Sequence, residues 1–194
     1  MTKQAAAGAD TGAPTRGARP VVLGVVGRPG SGKTALIERL IPELVARGLR
    51  VATVKRTAGF DIDMPGKDSW RHSAAGAAAY AVASPSRLAF VEVAGTEAPG
   101  GGDDAGEPAL DAIVARFLGD ADVVLCEGYL REAALTVEVF RRAAGYDVPV
   151  CEPGEALALV TDAPVDHEHR FALDDVGGLA RFLVERLGLA RQAG

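Results

Sequence analysis

The segment Gly27-Arg28-Pro29-Gly30-Ser31-Gly32-Lys33-Thr34 constrains this chain more than any other feature. It fits the spacing G-x-x-x-x-G-K-[ST], which carries meaning where a strand enters the loop and a helix leaves it. Both flanks are present. Upstream, Val21-Val22-Leu23-Gly24-Val25-Val26 runs apolar in the manner of a strand buried on both faces. Downstream, Leu36, Ile37, Leu40, Ile41, Leu44 and Val45 lay an apolar stripe along a helix. Glycines let the backbone curl until successive N–H groups point inward at phosphate oxygens, and the helix N-terminus adds partial positive charge. Lys33 then reaches the β- and γ-phosphates of a bound nucleoside triphosphate, and the Thr34 hydroxyl ligates magnesium. Gly27, Pro29, Gly30, Ser31, Gly32 and Ala35 complete the expected nucleotide-binding stretch.

The rest of the chain alternates strands and helices. Pro42 removes one backbone donor inside the first helix and predicts a bend there rather than an end. Gly48 ends that helix, and Arg50 to Lys55 reads as a second strand. A charged loop over 56–68 precedes a short helix at Ser69 to Ala75 and strands near Ala77 to Ala83 and Leu88 to Val93. Ala109 to Leu118 is an expected helix, and Val123 to Cys126 a buried strand. Leu135 to Phe140 and Leu157 to Val160 are further strands, and Asp174 to Leu187 is a terminal helix. Strands separated by helices predict a three-layer α/β fold of the P-loop NTPase kind, its mainly parallel sheet covered on both faces. Residues 1–18 read as a disordered tail, 19–190 as the nucleotide-binding domain, and 95–108 as a flexible, acidic, glycine-rich insertion within it.

Composition narrows the partners. The net charge of -5, with both signs spread along the chain, argues against nucleic acid or an anionic membrane surface. No apolar run approaches the roughly 20 residues that cross a bilayer. The two cysteines, Cys126 and Cys151, are too few for a disulfide framework, and the expectation is a cytoplasmic protein.

Acidic residues supply the remaining site candidates. Glu127 ends an apolar strand at the carboxyl edge, where parallel sheets bind ligands, and is the expected second anchor for magnesium. Asp61 and Asp63, in the loop after the second strand, are candidates for organising the metal's water and the attacking nucleophile. The chain contains no asparagine, so the N-K-x-D signature that reads guanine in Ras-like enzymes is absent. Asp162, leaving a late strand after Thr161, is the best-placed carboxylate to accept from guanine N1–H and its 2-amino group; the alternative is a turn cap before Pro164. Glutamine occurs only at Gln4 and Gln192, which predicts slow hydrolysis or one that relies on an aspartate. His167 and His169 read as part of a polar loop rather than as metal ligands.

Several stretches in order resemble the MobB family, accessory proteins of molybdopterin-guanine dinucleotide synthesis. The P-loop and its helix, Arg50 to Lys55, and above all Phe60-Asp61-Ile62-Asp63-Met64-Pro65-Gly66-Lys67-Asp68-Ser69-Trp70-Arg71-His72 carry the likeness. Ala75 to Ala77, Val124 to Tyr129 and Leu159 to Asp162 extend it over most of 20–165. The resemblance implies GTP and Mg2+ as ligands, weak intrinsic hydrolysis and a homodimer. It also implies a MobA-type guanylyltransferase and molybdopterin cofactor as partners. Arg56 stands where the family pattern has histidine, and Ala58-Gly59 replaces a histidine-rich approach to Phe60. Two other classes share the P-loop. A metallochaperone GTPase should carry a histidine run or Cys-His site, and a small-molecule kinase needs a lid with several arginines; Arg141-Arg142 is the candidate pair, read here as a surface strand end.

Overall fold

The computed structural model describes residues 19–57, 59–92 and 108–189; the tail over 1–18 and most of the insertion, 95–107, lie outside the described residues. The first element, β1 (Val21–Val26), leads through the P-loop into α1 (Lys33–Ala46), and β2 (Val51–Lys55) follows. Next come α2 (Asp68–Ala74), the pair β3 (Ala79–Ala83) and β4 (Leu88–Glu92), and α3 (Leu110–Phe117). The remainder is β5 (Val123–Glu127), β6 (Leu135–Phe140), a single 3-10 turn at Arg142–Ala144, β7 (Ala158–Thr161), β8 (Arg170–Phe171) and α4 (Val176–Arg186).

Six strands form one sheet in the order β2-β5-β1-β6-β7-β8, every neighbouring pair parallel. The P-loop strand is therefore central, and the carboxyl ends of β5 and β6 flank it. The period-two alternation of side chains divides the core. Leu23, Val25, Leu125, Val137, Val139 and Val160 face α1 and α4, where they meet Leu40, Leu44, Leu179 and Leu183. Val22, Ala52, Val54, Val124 and Cys126 face the other way, against Leu110 and Val114 of α3. Each fully buried leucine contributes about 1.5–3 kcal/mol of burial, so the α1–α4 side is the main anchor of the P-loop helix.

The sequence reading holds for α1, which runs through Pro42. One member of its stripe is corrected: Val45 is exposed, because it lies in the last turn, beyond the strip that the sheet and α4 cover. Coverage of the second sheet face also differs. Beside β6, the segment 146–156 packs there instead of a helix, and it meets a buried carboxylate: Glu138 accepts hydrogen bonds from the Val150 and Cys151 N–H groups. β3 and β4 do not join the parallel sheet. They pair with each other, antiparallel, as a separate two-stranded ribbon. β8 has only two residues, too few to produce a periodicity, and was not expected from the sequence.

Candidate functional site

The P-loop has the backbone conformation its glycines permit. Gly27, Gly30 and Gly32 have φ of 142°, 75° and 99°, values that L side chains rarely adopt. Gly27 is constrained twice, because a Cβ there would overlap the Val139 carbonyl oxygen of β6. Gly32, in the left-handed region, is the residue from which α1 starts. Lys33 Nζ folds back over the loop and donates to the Gly27 carbonyl at 3.0 Å and the Arg28 carbonyl at 2.9 Å. Ser31 is buried, and its Oγ has no hydrogen-bond partner among the described residues. Pro29 and Ala35 are exposed, as is Arg28, whose guanidinium lies 5.3 Å from the centre of the Tyr146 ring.

The two residues assigned to magnesium meet. Thr34 Oγ1 lies 3.1 Å from both Glu127 carboxylate oxygens, although the residues are 93 positions apart. Parallel pairing of β1 with β5 sets Val25 opposite Glu127 and so brings the strand-end acid beside the first turn of α1. Lys55, opposite Glu127 on β2, adds an ion pair at 3.5 Å. The sequence reading gave Lys55 no role.

A loop curled by three glycines of positive φ, a buried hydroxyl without a partner among the described residues and a hard-oxygen pair at the helix start fit a phosphate chain with a divalent cation. Lys33 and the loop N–H groups would hold the phosphates; Thr34 and Glu127 would hold the metal.

The other candidates lie further out. Asp61 is exposed. Asp63 is half-buried and accepts the Met64 N–H at 2.9 Å, while its second oxygen is buried without a partner among the described residues. Neither aspartate forms a hydrogen bond or ion pair with Thr34 or Glu127 among the described residues. Asp162 leaves the carboxyl end of β7, on the same edge as the P-loop. Its carboxylate accepts the Arg142 N–H at 3.0 Å and lies 4.0 Å from Arg141 Nε. It thus caps the turn after β6, while the neighbouring Thr161 Oγ1 accepts from Ala163 N–H and takes the capping role before Pro164. Arg141 lines a cavity of about 100 Å³ with Ser31, Gly32, Ala35 and Arg39, so it faces the P-loop helix. Arg39 was missed in the sequence; it donates to the Leu173 and Asp174 carbonyls and ties α1 to the segment before α4. Only its exposed position on the helix hinted at a tertiary partner.

Histidine chemistry is structural in the late loop. His167 Nδ1 accepts from His169 N–H, and its Nε2 is 3.1 Å from the Ala156 carbonyl. No cluster of three metal-ligating side chains occurs among the described residues. Burial pushes the Cys126 thiol up to about 11, as suits a core residue of β5.

Known proteins resemble the chain along most of its length. The family model for molybdopterin guanine dinucleotide synthesis protein B matches residues 22–162. The molybdopterin-guanine dinucleotide biosynthesis adapter protein of Escherichia coli K12 is 36% identical over 160 residues, covering 80% of this chain and 87% of its own length. Its namesake in Haemophilus influenzae is 34% identical over 148 residues, covering 75% and 76%. A crystal structure of molybdopterin-guanine biosynthesis protein B superposes with a TM-score of 0.61 at 32% identity, covering 85% of this chain and 99% of that one. The MobB homologue from Bacillus stearothermophilus gives 0.56 at 25% identity, covering 86% and 97%. With the P-loop, the central strand order and the length of the match all in agreement, the chain belongs to the MobB family.

Proposed function

We propose that this protein is a GTP-binding adapter of molybdopterin-guanine dinucleotide biosynthesis, binding the nucleotide with Mg2+ at the P-loop and hydrolysing it slowly. The observation that carries the reading is the meeting of Thr34 with Glu127 at the start of α1. A hydroxyl and a carboxylate on adjoining elements, next to a phosphate-shaped loop, form the oxygen pair that a magnesium nucleotide needs. Slow turnover fits the same geometry. The described P-loop neighbourhood has no glutamine to orient water, and neither Asp61 nor Asp63, the acids that would have to act, contacts Thr34 or Glu127 among the described residues.

Guanine recognition falls to Asp162. Its carboxylate is partly exposed and emerges two strands from β1, on the side of the sheet edge toward which Ala35 and Arg141 also face. The partner of the adapter is a MobA-type guanylyltransferase handling molybdopterin cofactor, in the cytoplasm. No described helix is long and apolar enough to cross a membrane.

The β3–β4 ribbon supports a homodimer. Its register puts Ala79, Ala81, Ala83, Leu88, Phe90 and Glu92 on one face and Tyr80, Val82, Ala89 and Val91 on the other, so the second face is uncharged and the first carries a single charge, Glu92, at its end. Leu88, Phe90 and Val82 are exposed. A two-stranded ribbon is marginal in water by itself, and a second copy of the chain supplies the missing apolar cover.

Titration calorimetry with GTP, ATP and GDP, with and without Mg2+, tests the nucleotide. A pull-down against a MobA-type guanylyltransferase, with and without GTP and molybdopterin, tests the adapter role. Absence of GTP binding by the folded protein would sink the first, and nucleotide-independent failure to capture the enzyme the second.

A further inference from the structure

Lys55 has an unassigned position at the centre of the site. It is the last residue of β2, and the parallel register sets it directly opposite Glu127. Its Nζ crosses toward β5 and lies 3.5 Å from Glu127 Oε2, the same carboxylate that meets the Thr34 hydroxyl. The Glu127 side chain is 14% exposed, whereas Lys55 is 61% exposed. The carboxylate is therefore held in place while the ammonium sits at the end of a flexible stem in contact with water. Lys33, the other lysine of the site, is occupied differently: it donates to two carbonyls of the P-loop itself.

We infer that Lys55 reads the terminal phosphate, making the affinity for a nucleoside triphosphate with its divalent cation exceed that for the diphosphate. The inference rests on the P-loop reading above. The physical argument begins with Glu127. A divalent cation on Glu127 repels the Lys55 ammonium at that range and draws on the same negative charge, so metal binding weakens the ion pair. The ammonium end of the pair is already in contact with water, so Lys55 leaves the carboxylate at little cost. Once Glu127 is engaged by the metal, the Lys55 ammonium needs another anion on the same sheet edge. The terminal phosphate is the one that arrives with the metal. A diphosphate brings the charge that Lys33 and the loop N–H groups satisfy and leaves Lys55 on Glu127. The two lysines thus approach from opposite elements, Lys33 from α1 and Lys55 from β2.

The alternative is that Lys55 only neutralises Glu127, and the two roles separate in a binding measurement. Calorimetry on the full chain compares wild type, Lys55→Met, Lys55→Arg and Lys33→Ala, using a non-hydrolysable GTP analogue with Mg2+ and GDP without it. Lys55→Met should weaken the triphosphate about tenfold, as befits the loss of one charge-assisted contact, and leave GDP within about twofold. Lys55→Arg should restore part of the difference, since it keeps the charge. An unchanged ratio of triphosphate to diphosphate affinity in Lys55→Met overturns the inference, and so does tighter triphosphate binding, the result expected if Lys55 merely competes with the metal. Lys33→Ala keeps the two levels apart. If it binds both nucleotides like wild type, the P-loop reading itself fails. If it loses both while Lys55→Met keeps the wild-type ratio, only the role of Lys55 is lost.

Discussion

The Thr34 hydroxyl and the Glu127 carboxylate are 3.1 Å apart, bridging the first turn of α1 and the last residue of β5. Each holds the other where a hard cation would share both. Glu127→Ala should therefore weaken Mg2+-dependent GTP binding while leaving metal-free GDP binding near wild type. Calorimetry at several Mg2+ concentrations reads the difference directly, and equal losses for the two nucleotides would remove Glu127 from the metal site.

Lys33→Ala should abolish measurable triphosphate binding without unfolding the chain. The side chain makes its hydrogen bonds to loop carbonyls at the surface of α1 rather than in the core. The expected loss of affinity is on the order of 2–5 kcal/mol for truncating one side of a desolvated charged pair. Circular dichroism checks that the helix content survives.

Asp162 caps the Arg142 N–H, and substitution separates that role from the proposed reading of guanine. Asp162→Ala should reduce the preference for GTP over ATP by on the order of 2–3 kcal/mol, the range of hydrogen bonds to a charged group. Asp162→Asn should favour xanthosine triphosphate over GTP, because it presents a donor where the carboxylate accepts. Asp162→Ala also loses the cap on the Arg142 N–H, a modest drop in stability that Asp162→Asn, which keeps an acceptor oxygen, should escape. Competition binding with all three nucleotides decides, and an unchanged preference returns Asp162 to the cap alone.

Leu88→Asp combined with Val82→Asp should give a monomer in size-exclusion chromatography with light scattering. The two positions sit on opposite faces of the β3–β4 ribbon, so a dimer that covers either face pays for a buried charge. A dimer of wild-type stability in the double variant would move the interface elsewhere.

Cys151 supplies a pH prediction. Burial, followed by the nearby Glu138 carboxylate, pushes its thiol up to about 12 from an ordinary 9.0. The folded state thus keeps the proton through a range in which the unfolded chain loses it. The stabilising contribution is complete below pH 9 and fades as pH rises toward 12. Urea midpoints measured from pH 8 upward should fall less steeply in Cys151→Ser. Glu138→Ala leaves the Val150 and Cys151 N–H groups without their acceptor and should cost about 1–3 kcal/mol at neutral pH.

The P-loop conformation was legible because its physics is local. Gly27, Gly30 and Gly32 must allow unusual backbone, and Lys33 and Thr34 must follow at the helix start, all within one short window. Glu127 was legible at one remove, since an apolar run ending in an acid marks the carboxyl edge of a parallel strand. Lys55 and Arg39 were not, because their roles depend on register and on a loop brought in from the far end of the sequence. Glu138 hid for a related reason: it alternates like any outward residue of β6, and only the return of 146–156 over that face buries it. The β3–β4 ribbon shows the limit of periodicity, which identified both strands but could not say which sheet they join.

Because β1, β6 and β7 are consecutive neighbours in the sheet, the distance from the P-loop to Asp162 is set by backbone hydrogen bonding. Two strand spacings amount to about 10 Å, and Gly27 passes so close to the Val139 carbonyl that no side chain would fit between the loop and β6. The sheet edge therefore works as a fixed ruler. On the proposed reading, a ligand long enough to touch both marks, phosphates at one end and a heterocycle at the other, would be gripped at each, whereas inorganic triphosphate or a free base would reach only one.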